Sequence, residues 1–359
     1  MAGILGEENM KQRTFPMNAW YVAAWDAEVG RSLLSRTICN RKMVLYRKQD
    51  GTPVALEDAC WHRLVPLSIG SLQGDDVRCG YHGLVFGPNG RCTHMPSQET
   101  INPSACVKSF PVVQRHRFVW VWPGDAALAD PALIPDLPWP DHAEWAGDGS
   151  MTEVKADYRL VIDNLMDLTH ETFVHASSIG NEALAEAPFD AFHGERTARV
   201  ERWVLNEEAP PFWAGQLGKP GKTDRWQIIN FLAPSVIYLE VGVAPAGTGA
   251  PEGDRSQGVD MRVLHLPTPS TDKTCYYFWA HLRNYNIGDQ GHTRRVLNAG
   301  GGIMVEDETV IEAQQVAIDE HPDHVFYNLN IDAGSMWARR AIDRMIAVEE
   351  EPYLAEAAE

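Results

Sequence analysis

Short apolar runs and tight turns alternate over the first third of the chain. Runs at 43–46, 54–56 and 118–122 contain the β-branched and aromatic residues that are typical of strands. Asp50-Gly51 and Pro88-Asn89-Gly90 indicate hairpin turns between such runs. The pattern predicts a small all-β domain over residues 1–124, and we expect both of its Cys-His loops, described below, to lie at hairpin tips.

The periodicity is lost between this part and the rest of the chain. Prolines occur at 131, 135, 138 and 140, and they interrupt both helices and central strands. We therefore predict an ordered linker over residues 125–149 and a second domain over 150–359.

The second part combines strand and helix patterns. Strands are predicted at 151–160, 226–231, 236–243, 261–266 and 275–282, and helices at 161–176, 293–318 and 333–349, with Asp332 as a cap of the last. Residues 181–222 show no steady period and are expected to form a loop or lid. An antiparallel sheet with helices on one face places the chain in the α+β class.

Length and charge limit the possible partners. The 359 residues, 44% of them hydrophobic, are sufficient for two ordinary cores. A net charge of −18 argues against nucleic acid or an anionic membrane as the main partner. The first residues lack the features of a signal peptide, and no later run has the apolar length of a membrane span, so we expect a cytoplasmic protein.

Cysteine and histidine occur together in two matching pairs. Cys60 and His62 are separated by one residue, and Cys79 and His82 by two. A Rieske [2Fe-2S] centre needs this donor set, because two thiolates bind one iron and two imidazoles bind the other. The other four cysteines are scattered singly, and we expect them to be reduced.

Zinc also binds sets of two Cys and two His, so a zinc site or a structural Cys/His set is the alternative. Zinc modules usually hold both cysteines in one short pair and both histidines in another, whereas each pair here mixes the two. The apolar run at 64–68 and Gly83 after the last histidine are also similar to Rieske cluster loops. These features favour the iron–sulfur cluster.

A second group of candidate ligands lies within residues 164–175. His170 and His175 are five residues apart, and Asp167 precedes the first by three. Non-haem iron that activates O2 uses two His and one carboxylate. Five residues turn an ideal helix by about 140°, so the two imidazoles can share a metal only if a bulge or helix end separates them. Asp167 suits an acceptor that fixes the ring of a ligating His.

Two histidines in one helix are more often structural than metal-binding, but a one-electron cluster in the same chain needs an electron acceptor. The spacing leaves the third ligand open. The candidates are all acidic: Asp163, Glu171, Glu306, Asp307, Glu308 and Asp332. Most acidic residues on such helices simply face solvent.

Four further segments, at 158–160, 163–172, 174–180 and 209–213, complete a recognisable pattern. With them the chain resembles the Rieske non-haem iron oxygenases, in particular the oxygenase components of vanillate O-demethylases, over nearly its whole length. The resemblance implies an N-terminal all-β Rieske domain and a C-terminal catalytic domain of helix-grip type.

The resemblance also implies roles for individual residues. It implies cluster ligation by Cys60, His62, Cys79 and His82, and one mononuclear Fe(II) on His170, His175 and Asp307. Asn164 and Asp167 are implied as catalytic-site residues. In the family Asp167 would link an iron-ligating His to a cluster His of the neighbouring subunit, which implies a head-to-tail homotrimer.

The implied activity is O-demethylation of vanillate to protocatechuate and formaldehyde. It would use O2 and electrons from a separate NADH-dependent reductase, because this chain has no Gly-rich nucleotide loop of its own. The alternatives are another methoxylated aromatic acid such as syringate or a methoxybenzoate, ring hydroxylation, and, more remotely, an electron carrier without chemistry of its own.

His265 and Arg283 lie on predicted strands and are candidate contacts for a substrate carboxylate or phenol, although residues of these types on strands are more often structural hydrogen-bonding groups. The sequence departs from the family around the cluster. Trp61 stands where the family often has Pro, and Leu64 and Val65 are bulkier than the usual residues.

Overall fold

The first part of the protein is built from short antiparallel strands. A computed structural model describes residues 13–357, so the N-terminal residues that lack a signal peptide pattern lie outside it. The strands are β1 (Tyr21–Trp25), β2 (Leu34–Ile38), β3 (Arg41–Arg47), β4 (Pro53–Glu57), β5 (Ser71–Gln73), β6 (Asp76–Arg78), β7 (Val85–Phe86), β8 (Cys92–His94), β9 (Ser109–Phe110), β10 (Val112–Arg115) and β11 (Phe118–Val121). They form three sheets in the orders β1-β11-β10, β2-β3-β4-β9 and β5-β6-β7-β8.

The two predicted turns are confirmed. Gly51 and Gly90 both have positive φ (86° and 79°) at the β3–β4 and β7–β8 connections, a conformation that glycine adopts without strain. The prediction that both Cys-His loops lie at hairpin tips is half wrong. Residues 79–84 join the paired strands β6 and β7, but residues 60–65 lead from β4 of one sheet toward β5 of another.

Between the two parts the chain forms three 3₁₀ turns, at Ala126–Leu128, Pro131–Leu133 and Trp139–Asp141. Asp125 and Asp130 cap the first two with their side chains, and Ile134 and Leu137 are buried against the tryptophans of the first part. The next strand already begins at Ala146. The division of the chain at 125 and 150 stays a prediction.

The second part is a seven-stranded antiparallel sheet with helices. Its elements are β12 (Ala146–Val154), α1 (Tyr158–Met166), α2 (Glu171–Val174), α3 (Glu182–Glu186), β13 (Phe189–His193), β14 (Thr197–Glu207), α4 (Pro211–Leu217), β15 (Thr223–Leu232), β16 (Val236–Pro245), β17 (Val259–Thr271), β18 (Thr274–Arg283), α5 (Gln290–Glu320) and α6 (Ala333–Ala357). The strand order is β12-β18-β17-β16-β15-β14-β13. Helices α1, α5 and α6 contact this sheet.

Two sequence predictions for this part were wrong. The strand expected at 151–160 ends at Val154, and Tyr158 already starts α1, capped by the Asp157 side chain. The expected lid at 181–222 contains β13 and β14, two strands of the main sheet, as well as α3 and α4. Prolines at both ends of that segment obscured the strict alternation of buried and more exposed residues along β14.

The long helices are confirmed with longer bounds. Asp332 precedes α6 but closes a 3₁₀ turn, where its carboxylate accepts from the Leu329 amide at 2.6 Å. Within the described residues, no helix combines the length and apolarity that a membrane crossing requires.

Two hydrophobic cores join the parts. One face of the main sheet packs against the helices and against residues such as Tyr21 and Val119 of the first part. The other face packs Leu264 and Phe278 against Trp20 and Trp120. The main sheet is therefore covered on both faces, and its helix-side face is available for a buried site.

A substitution at Gly242 in β16 tests how closely the strands of the main sheet are packed. A Cβ there would lie 2.2 Å from Trp226 Cζ2 and 2.2 Å from the Val259 carbonyl oxygen. Gly242→Ala should therefore lower the free energy of unfolding by about 1–3 kcal/mol through overpacking, measured as a fall in apparent Tm. Gly215→Ala is the matched control, because Gly215 lies in α4 with open space around it. An unchanged Tm for Gly242→Ala would contradict the packing.

Candidate metal centre and substrate cavity

A break in the helix after Met166 sets up the site. Asp167 has extended backbone angles (φ −117°, ψ 106°), and its carboxylate accepts from the Thr169 amide at 2.8 Å, which caps a 3₁₀ turn at Leu168–His170. Helix α2 then covers only four residues. His170 and His175 therefore lie at its two ends, which confirms that a helix end separates them.

The two imidazoles meet Asp307 of α5. Nε2 of His170 lies 3.4 Å and Nε2 of His175 lies 3.1 Å from Asp307 Oδ1. One potential ligand atom from each residue lies within 4.8 Å of the others. His175 and Asp307 are almost fully buried (1% and 3% exposed). Two imidazoles and one carboxylate converging in this way form the donor set of non-haem Fe(II).

The outer nitrogens of both rings are also held. His170 Nδ1 donates to the backbone carbonyl of Asp167 at 2.5 Å, and His175 Nδ1 donates to Glu306 Oε2 at 2.7 Å. Both rings thus present Nε2 to the common point, as outer hydrogen bonds do in metal sites. Asp167 orients His170 through its main chain, which corrects the expectation that its carboxylate would do so. Asn164 Nδ2 donates to Asp307 Oδ1 at 3.2 Å.

The other acidic candidates have different partners. Glu306 binds the outer nitrogen of His175, and Glu171 pairs with Arg225 at 2.9 Å. Asp163 is paired with Arg339 of α6. Of the acids that the spacing left open, Asp307 is the one placed with both histidines.

The charges of this set complement each other. Burial by itself would raise the pKa of Asp307, but hydrogen bonds from both imidazoles hold it well below its ordinary value. Burial by itself would lower the pKa of His175, but hydrogen bonds to Asp307 and Glu306 raise it to about 9. A buried, ionised carboxylate is stabilised by nearby positive charge, and a divalent cation bound beside Asp307 would supply it.

The two Cys-His loops have the same backbone structure. In each, the Cys amide donates to the carbonyl five residues later (2.9 Å for Cys60, 2.8 Å for Cys79), and the Cys carbonyl accepts from the amide four residues later. That fourth residue has positive φ in both loops, Leu64 (60°) and Gly83 (76°). Leu64 thus adopts a strained conformation that a glycine would adopt freely.

The loops bring the four predicted cluster ligands together. The His62 and His82 rings lie 4.7 Å apart. Both thiols are buried (2% exposed), while the imidazoles are exposed. Burial, together with the adjacent Cys79 thiol, raises the pKa of Cys60 to about 11. Two thiols inside and two imidazoles outside fit a cluster whose histidine-bound iron faces the surface.

A cavity adjoins the three converging residues, between α2, α5 and the helix-side face of the main sheet. Its lining is mainly apolar and includes Trp213, Leu239, Val241, Met261, Val263 and Ile303. Such a cavity with a few fixed polar groups is typical of a site for a small, largely apolar ligand.

A buried polar network closes one side of this cavity. Arg225 donates to Glu171 Oε2 at 2.9 Å and to the Ile179 carbonyl at 2.8 Å, and Gln227 Nε2 donates to both Glu171 oxygens. Glu171 follows His170 directly in the chain. The network therefore anchors α2 to β15 and helps to fix both histidines.

The predicted substrate contacts fall in different places. His265 lines the cavity, and its Nδ1 is hydrogen-bonded to the Tyr277 hydroxyl at 2.6 Å. Arg283 does not line it: the fully buried guanidinium donates to the carbonyl oxygens of Ala146, Asn286 and Asp289. The structure gives Arg283 the role of fixing the connection between β18 and α5.

Family comparisons agree with both halves of the site. Residues 19–111 match the Rieske [2Fe-2S] domain, and residues 154–348, more than half of the chain, match the vanillate O-demethylase oxygenase C-terminal domain. The chain belongs to the vanillate O-demethylase oxygenase family of Rieske oxygenases.

Several relatives of this Rieske oxygenase match over nearly their full length. The vanillate O-demethylase oxygenase subunit of Pseudomonas sp. (strain HR199 / DSM 7063) is 44% identical over 94% of this chain and 96% of its own. The toluene-4-sulfonate monooxygenase system iron-sulfur subunit of Comamonas testosteroni is 39% identical over 93% of this chain and 98% of its own. A crystal structure of dicamba monooxygenase bound to 3,6-dichlorosalicylic acid has a TM-score of 0.88 at 33% identity, covering 94% of this chain and 99% of that one.

Sequence reasoning missed three polar residues in the cavity of this Rieske oxygenase. Arg225 and Gln227 lie on β15 and His281 on β18. The alternation along β15 places Arg225 and Gln227 on one face, but the sequence does not tell which face is covered by helices. The run Gly300-Gly301-Gly302 inside a helix was a signal that another group packs closely against the helix backbone, and in the structure the His281 ring does so at Gly300.

The Glu171–Arg225 pair supports a first prediction for the site. Glu171→Leu or Arg225→Leu should each lower the free energy of unfolding by about 3–5 kcal/mol, because each leaves a buried charge without its partner. The double variant should be more stable than either single variant by thermal unfolding. Lys48→Ala, in an exposed pair, should leave Tm unchanged. A double variant whose loss equals the sum of the single losses would contradict the coupling.

Removal of His175 supports a second prediction. His175→Ala should reduce the iron content from about three to about two per chain while the visible cluster spectrum persists, because the cluster ligands lie elsewhere. Iron analysis with absorption spectroscopy measures both. His193→Ala is the control, since His193 is exposed on β13 and stacks on Trp337 outside the site. Full iron content in His175→Ala would remove this residue from the metal site.

Proposed function

We propose that the protein is the oxygenase component that O-demethylates vanillate to protocatechuate and formaldehyde. The observation that carries this proposal is an apolar cavity directly beside two imidazoles and a carboxylate, in a chain 44% identical to a vanillate O-demethylase oxygenase subunit. The cavity suits an aromatic ring, and the three converging residues suit the metal that such a reaction needs.

The donor sets fit the two implied iron groups. Cys60, Cys79, His62 and His82 would hold the cluster, and His170, His175 and Asp307 the single iron. When bound, the cluster would supply single-electron transfer and the iron would supply activation of O2. Insertion of one oxygen atom into a methoxy C–H bond, with the other oxygen atom reduced to water, would consume two electrons from the reductase and two protons. The resulting hemiacetal then separates into phenol and formaldehyde.

The protein's own residues position the reactants. Asp167 and Glu306 keep the two imidazoles turned with Nε2 toward the metal position, and Asn164 holds Asp307. The apolar lining excludes water from the ring and the methoxy group. The Glu171–Arg225–Gln227 network keeps α2 in place at the cavity wall. The Nδ1 atom of His265 is hydrogen-bonded to the Tyr277 hydroxyl, which leaves Nε2 of this ring for a polar group of the substrate.

Electron delivery is proposed to run between subunits of a homotrimer. His170 and Asp167 line a second, outer pocket together with the exposed side chains of Phe326 and Tyr327. On the other part of the chain the exposed His82 lies beside exposed Tyr81. We propose that these two surfaces of neighbouring copies meet and bring Asp167 close to His82, so that electrons pass from the cluster to the iron of the next subunit.

The relatives named as oxygenase subunits and monooxygenase iron-sulfur subunits belong to systems of several components, which implies a separate reductase and an aromatic substrate for this chain. We propose that this reductase uses NADH and that the reaction takes place in the cytoplasm, where NADH is available.

Turnover of a substrate panel tests the function. Purified protein with a suitable reductase should release formaldehyde from vanillate in proportion to the O2 consumed. Syringate, 3-methoxybenzoate and toluene-4-sulfonate serve as comparison substrates. If vanillate released no formaldehyde while one of the other compounds was oxidised efficiently, that compound would be assigned as the substrate in place of vanillate. If none of the four compounds was oxidised, the remaining alternative would be an electron carrier without chemistry of its own.

A further inference from the structure

His281 is buried although one of its ring nitrogens has no hydrogen-bond partner among the described residues. Its side chain is 8% exposed, and Nδ1 has no hydrogen-bond partner within residues 13–357. A buried polar group without a hydrogen-bond partner destabilises the folded protein, because its hydration is lost and not replaced. The ring lines the cavity, so a molecule in the cavity can supply the missing partner.

Helix α5 is shaped to admit this ring. A Cβ on Gly300 would lie 2.4 Å from Cε1 and 2.6 Å from Nδ1 of His281, so only glycine fits at this position. A glycine inside a helix destabilises it relative to alanine, because glycine loses more backbone entropy on folding. Helix α5 is therefore intrinsically less stable at Gly300, which is where the His281 imidazole packs against it.

The same helix relates His281 to the metal position. Gly300 and Asp307 are seven residues apart on α5, which is about two turns and about 10 Å along the axis, and they lie on one face. One substituted aromatic ring can bridge such a distance. A methoxy group near Asp307 would then leave a remote ring substituent near His281.

The surroundings determine what His281 can bind. Burial lowers its pKa to about 4, so the imidazole is neutral at neutral pH and offers one donor and one acceptor. The neighbouring His265 differs, because Tyr277 already occupies its Nδ1. Arg225 is likewise engaged with Glu171.

We propose that His281 is a specificity-determining residue, which hydrogen-bonds a carboxylate or phenolic oxygen of the aromatic substrate. This inference rests on the proposed function, since it takes the ligand to be a methoxylated aromatic compound. The His281 imidazole would be the group that distinguishes among such compounds.

Anaerobic binding measurements test this directly. Dissociation constants of the iron-replete protein are measured by calorimetry for vanillate, 3-methoxybenzoate, which lacks the phenol, and guaiacol, which lacks the carboxylate. His281→Leu should weaken vanillate and one of the other two by about tenfold and spare the third, which identifies the oxygen that is bound. Equal effects on all three ligands, or no effect on any, would overturn the proposal.

A second variant tests the position of the ring. Gly300→Ala keeps His281 but displaces its imidazole, so it should weaken the same two ligands. Met261→Leu is the control, because Met261 lines the cavity without polar contacts and should affect the three ligands equally. Selective weakening by Met261→Leu, or equal weakening by Gly300→Ala, counts against the assignment.

Thermal unfolding separates binding from folding. His281→Leu should not lower the Tm of the ligand-free protein, because it replaces an unpaired buried polar group by an apolar one of similar size. A large fall in Tm together with equal affinity losses would make His281 structural. If the wild-type protein bound none of the three ligands, the proposed function would be overturned as well. If the wild-type protein demethylated vanillate but His281→Leu bound all three ligands with unchanged affinity, only this inference would be overturned.

Discussion

The contact of Asp307 with two imidazoles is the interaction on which the site depends. A carboxylate that is 3% exposed needs positive partners or a metal, because an isolated charge is unfavourable in the interior. The helix break at Asp167 turns His170 and His175 toward it, and Asn164 adds a hydrogen bond. One local departure from helical geometry thus creates a binding site for a cation between a short segment and a long helix.

The site is held in place by hydrogen-bonded side chains, and those on the sheet side are buried. The Glu171–Arg225–Gln227 network joins α2 to the main sheet, while Glu306 holds His175 from α5. In a low-dielectric interior each such bond is strong when made and unfavourable when broken. The histidines are therefore fixed from the sheet on one side and from the helix on the other.

The sequence predicted what depends on local pattern. The hairpin turns, four strands of the main sheet, the two long helices and the Cys-His pairs follow from periodicity, glycine positions and donor chemistry. It could not choose Asp307 among several acids, because that choice depends on how α5 packs on α2. It also missed β14, whose alternation was masked by nearby prolines, and it gave the carboxylate of Asp167 a role that its carbonyl performs.

The polar groups of the cavity fall into two sets with different consequences for a ligand. Arg225 and Glu171 neutralise each other, so Arg225 offers no free charge to an aromatic acid. His265 and His281 are neutral, with burial lowering the pKa of His265 to about 3 and of His281 to about 4. A carboxylate entering the cavity would therefore meet neutral hydrogen-bond donors on this side of the cavity rather than a free positive charge. Such a site discriminates by the position of an oxygen atom more than by its charge, because each donor is fixed on a strand of the sheet.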